Sequence, residues 1–176
     1  MSDQQFIKNY LQDFIEALKP DDDSVESLIQ VRNLLLEVNR NKKKALIFGN
    51  GGSAAIASHF SVDLTKNAKI KCLNFNEASL ITCLANDYGF EHWAEKAIEF
   101  YGNEGDLLIV ISSSGQSENM LNAVKAARNC NFQSVITLSG FSENNPLRKL
   151  GDVNLWVDNK SYNFVENIHQ IWLLAI

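Results

Sequence analysis

Two hydrophobic periods divide the chain. Over the first 40 residues apolar side chains recur at helical spacing: Phe6, Tyr10, Leu11, Phe14, Ile15 and Leu18, then Val25, Leu28, Ile29, Val31, Leu34, Leu35 and Val38. Pro20 and the three aspartates after it break the pattern, which therefore predicts two helices. The second is expected to start at Ser24, with Asp21, Asp22 and Asp23 favouring the positive end of its dipole. From residue 45 onward short, continuous apolar runs alternate with amphipathic segments. The runs predict strands at 45–48 (ALIF), 70–75 (IKCLNF), 107–112 (LLIVIS), 134–139 (SVITLS) and 153–157 (VNLWV). Helices are expected at about 53–66, 77–85, 88–101 and 117–131, and from Tyr162. Strands that are apolar throughout and separated by helices belong in a parallel sheet covered on both faces. The expected fold class is α/β, a three-layer αβα sandwich around a five-stranded parallel sheet.

Two helices are too few to hold a core alone, so no boundary is placed after Pro20. A length of 176 residues suits one domain over 1–176, with N-terminal helices at 1–41 and an α/β core at 45–176. The net charge of −5 argues against a general nucleic-acid binder. The run Lys42–Lys44 precedes an apolar strand and reads as its solvated entry. Cys72, Cys83 and Cys130 lack Cys-x-x-Cys spacing, which suggests reduced thiols in a cytoplasmic protein. The polar start MSDQQFIKNY is not a signal peptide, and no run of about 18 apolar residues offers a membrane span. The chain stops inside an apolar helical pattern, IWLLAI, as a fragment would.

Candidate chemistry lies in two loops. The first, GNGGS at 49–53, joins a strand end to a helix start. Glycine permits positive φ and close approach of a ligand, and the first N–H groups of the following helix then suit an anion. Ser53 stands where a helix cap belongs. A tight connection with a capping serine explains the turn equally well. The spacing Gly49-x-Gly51-x-x-Ala54 also fits a loose dinucleotide fingerprint, but the second strand ends in Asn74, Phe75 and Asn76 rather than in the acidic residue a ribose needs. The second loop is Ser112, Ser113, Ser114, Gly115, Gln116 and Ser117. Four hydroxyls and a glycine exceed what a cap requires, and each hydroxyl can donate to a phosphate oxygen. Both loops follow parallel strands and so share the carboxyl edge of the sheet, where ligands of open α/β sheets bind.

GNGGSA…HF, ANDYGF and ISSSGQS together resemble the sugar isomerase (SIS) domain, and specifically the phosphoheptose isomerases, over nearly the whole chain. The resemblance implies a flavodoxin-like SIS fold. It also implies an aldose–ketose isomerase that converts sedoheptulose 7-phosphate to glycero-manno-heptose 7-phosphate for bacterial surface polysaccharide, lipopolysaccharide or capsule. It implies a cytoplasmic homotetramer, with the N-terminal helices between subunits, and zinc in some members. Ser112, Ser113, Ser114 and Ser117 would hold the sugar phosphate. Asn50, Gly51, Gly52 and Ser53 would line the sugar, and Asn86 and Asp87 would reach its hydroxyls.

The acid–base pair departs from the family pattern. The position of the family's glutamate holds Asp63, and that of its catalytic histidine holds Leu174. Glu166 stands where the family has a glutamine, and His169 where it has a non-catalytic histidine. The catalytic candidates are Asp63, Glu166 and His169. His59, Asp63, Glu166 and His169 together make a candidate zinc set, because imidazole and carboxylate suit that ion. The alternative is a non-catalytic SIS protein that senses a phosphosugar or binds the replication initiator.

Overall fold

The computed structural model describes residues 1–176. Its twelve main elements are α1 (Asp3–Leu18), α2 (Asp22–Arg40), β1 (Ala45–Gly49), α3 (Gly52–Lys66), β2 (Cys72–Asn74), α4 (Ala78–Tyr88), α5 (Trp93–Tyr101), β3 (Leu107–Ser112), α6 (Glu118–Asn129), β4 (Ser134–Ser139), β5 (Val153–Trp156) and α7 (Tyr162–Ala175). The five strands form one sheet in the order β2-β1-β3-β4-β5, every pair parallel. This is the three-layer arrangement the sequence pattern predicts.

Alternation along the strands sorts the core into two halves. Ala45, Ile47, Leu107, Ile109, Ile111, Ile136 and Leu138 face a cluster filled by α2, α3 and α7. Leu46, Phe48, Leu108, Val110 and Val135 face one filled by α4, α5 and α6. Helix α1 fully buries no residue; its Phe14, Ala17 and Leu18 pack half-buried against the first cluster, and Tyr10 and Phe14 set their ring edges against Phe164 of α7. No helix is long and apolar enough to cross a membrane.

Several boundaries differ from the pattern, each for a local reason. Helix α2 starts two residues before Ser24, because the Asp21 carboxylate accepts from the Ser24 N–H at 2.7 Å and is itself the cap. Strand β2 is only Cys72–Asn74; Lys69, at φ 60°, turns the chain before it, and buried Ile70 packs as loop. The helix expected to end at residue 85 runs on to Tyr88 and breaks at Gly89, whose φ of 91° suits glycine. A short 3-10 turn, Phe90–His92, follows before α5. The lysine run is only partly solvated: Lys44 pairs with buried Asp106, and the Lys43 ammonium donates to the Glu104 carbonyl at 2.6 Å.

The strand order reverses between β1 and β3, with β2 on one side of β1 and β4 on the far side of β3. Gly49 is in register with Ile111, so the loops leaving these two strands open at one level. That is the topological switch point at which open α/β sheets hold ligands.

Candidate active site

A cleft of about 310 Å³ lies at this switch point. Its walls are Asn50–Ser53 after β1, Ser112–Ser114 and Ser117 after β3, and Tyr162 and Glu166 from α7. The structure thus brings together both loops singled out in the sequence.

The glycine turn works through its backbone. Gly51, at φ 54°, is the residue before the first turn of α3, and no side chain caps that helix. The Gly52 and Ser53 N–H groups of the first turn therefore remain available at the cleft, whereas that of Ala54 donates to the Gly51 carbonyl at 3.0 Å. Ser53 is not the cap expected of it; it lies inside the first turn and is buried. Gly52 is required for space, since the Glu166 carboxylate occupies the room a Cβ there would need. Asn50 lines the cleft, but its amide is paired both ways with that of Asn119 at the start of α6.

The serine loop is folded on itself and braced from behind. The Gly115 N–H donates to the Ser112 carbonyl at 2.9 Å, and the Gln116 N–H to the Ser114 hydroxyl at 3.2 Å. Gly115 takes φ 65°, and the Asn145 amide packs where its Cβ would be. The connection after β4 completes the brace, with Gly140 N–H donating to the Ser113 carbonyl and Leu147 N–H to that of Gly115. Ser117 precedes α6 without capping it; its hydroxyl instead lies 3.1 Å from that of Ser112. The Ser113 hydroxyl is buried and has no partner at all. A buried hydroxyl without a partner is costly unless a ligand satisfies it.

The cleft contains no lysine or arginine. Its attraction for an anion comes from hydroxyls and from the N-terminal ends of α3 and α6. Glu166 is its only carboxylate; burial raises that pKa above the ordinary glutamate value, and the side chain makes no hydrogen bond or ion pair with protein.

The remaining sequence candidates lie elsewhere. Asp63 lines a different cavity of about 260 Å³, together with Leu174, Leu173, Phe60 and Arg32. The two positions that the resemblance assigns to the acid–base pair do meet, but a leucine cannot carry a proton. His169 is wholly buried, its Nε2 3.1 Å from the Ser139 carbonyl and its Nδ1 unpartnered. Burial lowers its pKa to about 4, so it is a neutral core residue and not a cleft residue. Asn86 and Asp87 are exposed at the end of α4 and do not line the cleft; Asn86 donates to Asp87 at 2.9 Å.

The zinc set does not assemble within this chain. His59 lies 3.3 Å from Asp63, and its Nδ1 contacts the Gln170 amide at 3.2 Å. Glu166 is turned to Gly52 and His169 to the core, and no group of three or more His, Cys, Asp or Glu side chains is gathered to hold an ion. These residues do not fit the metal. The dinucleotide alternative also lacks its ribose partner, because Asn74 and Asn76 direct their amides to α3.

Sequence reading missed Tyr162, Asn119 and Asn145. Tyr162 had a usable signal, since it stands four residues before Glu166 on one face of a helix. Asn119 and Asn145 had none, because Asn119 serves the site through Asn50 and Asn145 by packing on Gly115, both distant in sequence.

The SIS domain model matches residues 7–140. The chain belongs to the SIS-domain family. It is 35% identical over 161 residues to the phosphoheptose isomerase of Helicobacter pylori strain P12, covering 88% of this chain and 83% of that protein. It is 32% identical over 176 residues to the phosphoheptose isomerase of Campylobacter concisus, covering 97% and 92%. The solved phosphoheptose isomerase of Neisseria gonorrhoeae superposes with a TM-score of 0.92 at 31% identity, over 99% of this chain and 97% of that one. Within the SIS family its branch is that of the phosphoheptose isomerases.

Proposed function

We propose that this chain is an aldose–ketose isomerase of the phosphoheptose type, taking sedoheptulose 7-phosphate to glycero-manno-heptose 7-phosphate. The observation that carries this reading is the cation-free serine cleft at the switch point with one carboxylate, Glu166, against its glycine wall. The phosphate would sit on the serine hydroxyls and the free N–H groups of the helix starts. Glu166 would remove the proton from C1; the C–H electron pair becomes the C1–C2 double bond, and the carbonyl oxygen takes up charge as an enediolate. Return of that proton to C2, with the hydroxyl proton passing from O1 to O2, completes the aldose. A carboxyl with a raised pKa is suited to both halves of this exchange.

The same reading extends to the assembly and its setting. The chain is proposed to act as a homotetramer in the cytoplasm, supplying heptose for surface polysaccharide. The apolar face of α1 supports burial between copies, and an adjacent copy's exposed α4 end would explain how Asn86 and Asp87 reach a sugar. The alternative, a phosphosugar sensor or partner of the replication initiator, rests on Leu174 at the position of the family's catalytic histidine; the Glu166 carboxylate in the cleft favours the isomerase.

The test is proton exchange and turnover of sedoheptulose 7-phosphate in D2O, followed by NMR. Glu166→Gln is expected to lower the rate by about 10²–10⁴. In the wild type the limb of kcat/KM that rises with pH should lie above the ordinary glutamate range. Saturable binding without exchange in the wild type would sink the enzyme reading. Full-rate exchange by Glu166→Gln would sink the role given to Glu166.

A further inference from the structure

Tyr162 lines the cleft beside Glu166 but takes no part in the proton transfers assigned to that carboxylate. The two are one helical turn apart on α7, so both side chains are presented to the same side. The Tyr162 side chain is largely exposed, and its hydroxyl makes no hydrogen bond with protein. The ring is nevertheless held in place. Phe141 meets it edge to face, with centroids 4.8 Å apart and planes at 69°.

The way Phe141 is held adds a second observation. It is a bulky residue at φ 60°, a conformation that non-glycine residues rarely adopt. Its N–H donates to the Asn159 carbonyl at 2.9 Å, which anchors it. It follows directly on Gly140, whose N–H braces the Ser113 carbonyl. The connection that supports the serine loop thus also adopts a strained backbone and sets an aromatic ring against Tyr162. Strain of this kind collects at ligand sites, where surrounding structure sustains it.

The chemistry of the cleft gives the phenol a task. With no lysine or arginine in the lining, a phosphorylated ligand must be met by N–H and O–H donors. The serine hydroxyls and the glycine-turn backbone reach it from the two strand loops. Tyr162 is the only hydroxyl that α7 brings to the lining. We propose that Tyr162 is a substrate-contacting residue whose phenol donates a hydrogen bond to the phosphorylated sugar, with Phe141 as the positioning residue that holds the ring. This rests on the reading of the cleft as a phosphosugar site.

Calorimetric titration with sedoheptulose 7-phosphate and, separately, with inorganic phosphate tests it in the full chain. Tyr162→Phe keeps the ring and its packing and removes only the hydroxyl, so a merely structural role would leave binding unchanged. Binding of the sugar phosphate is expected to weaken about tenfold, with an unaltered melting temperature. A parallel loss for inorganic phosphate places the contact on the phosphate; a loss confined to the sugar phosphate places it on the sugar. Phe141→Leu should weaken binding as well, but not further once Tyr162→Phe is present. Ser113→Ala separates the two levels of the argument. Its loss of binding alongside wild-type affinity in Tyr162→Phe overturns the proposal alone. A wild-type chain that binds neither probe, or undiminished binding by Ser113→Ala, overturns the site reading beneath it.

Discussion

Asn50 and Asn119 exchange amide hydrogen bonds in both directions, at 3.0 Å and 2.9 Å, and so tie the turn after β1 to the start of α6. Asn119 is almost fully buried, and its Oδ1 also accepts the Met120 N–H. The pair spans the mouth of the switch point and sets the separation of the glycine turn and the serine loop. It also changes the role of Asn50, whose side chain supports the turn instead of projecting freely at a sugar.

Asn119→Ala should therefore act on stability and on the site together. It leaves the Asn50 amide without its partner, a loss of about 1–3 kcal/mol in urea unfolding. The two loops lose their link, so KM for the sugar phosphate is expected to rise severalfold while kcat changes less. Unchanged KM with lowered stability would confine the pair to a structural role.

What was legible in the sequence follows from how local each signal is. Both ligand loops are visible because the second carries more hydroxyls than a cap requires and the parallel sheet puts the first, ambiguous by itself, at the same edge. The start of α2 was misplaced by two residues because three aspartates and a serine all favour a cap, and only geometry selects Asp21. Glu166 and His169, three residues apart, enter both the catalytic and the zinc candidates. In the fold α7 turns Glu166 to Gly52 and His169 into the core, and three residues along a helix separate a cleft side chain from a buried one. The metal set failed for the same reason: spacing along α3 and α7 is legible, but the rotation of each helix about its own axis is fixed by packing. Asn119 and Asn145 act on loops distant in sequence, so no local pattern could single them out.

The outer face of α1 gives a prediction about assembly. Phe6, Ile7, Leu11 and Ile15 are each more than half exposed, on a helix that packs on the core only through Phe14, Ala17 and Leu18. An apolar stripe of this kind on a helix with no buried residue is suited to another copy. Light scattering should find the wild type well above the 19.7 kDa of one chain. Leu11→Glu should shift it to smaller species without loss of far-ultraviolet helix signal, because the substitution removes no core contact. A wild type that runs as a single chain at micromolar concentration would refute the tetramer.

His169 gives a prediction about pH. Its pKa is lowered to about 4 by burial, against about 6.5 in an unfolded chain, and its Nε2 faces the Ser139 carbonyl. Between those values the unfolded chain binds the proton and the folded chain does not. The contribution of this residue is therefore fully present above pH 6.5 and declines as pH falls toward 4, by up to roughly 1.4 kcal/mol per pH unit. His169→Gln can still donate to the Ser139 carbonyl but cannot titrate. Urea unfolding from pH 8 to pH 4 should show a shallower acid loss in that variant than in the wild type. Because His169 lies in the core and not in the cleft, turnover of His169→Gln at pH 7.5 should stay within a few-fold of wild type. A hundredfold fall in kcat with stability intact would return His169 to the catalytic group, from which its burial removes it.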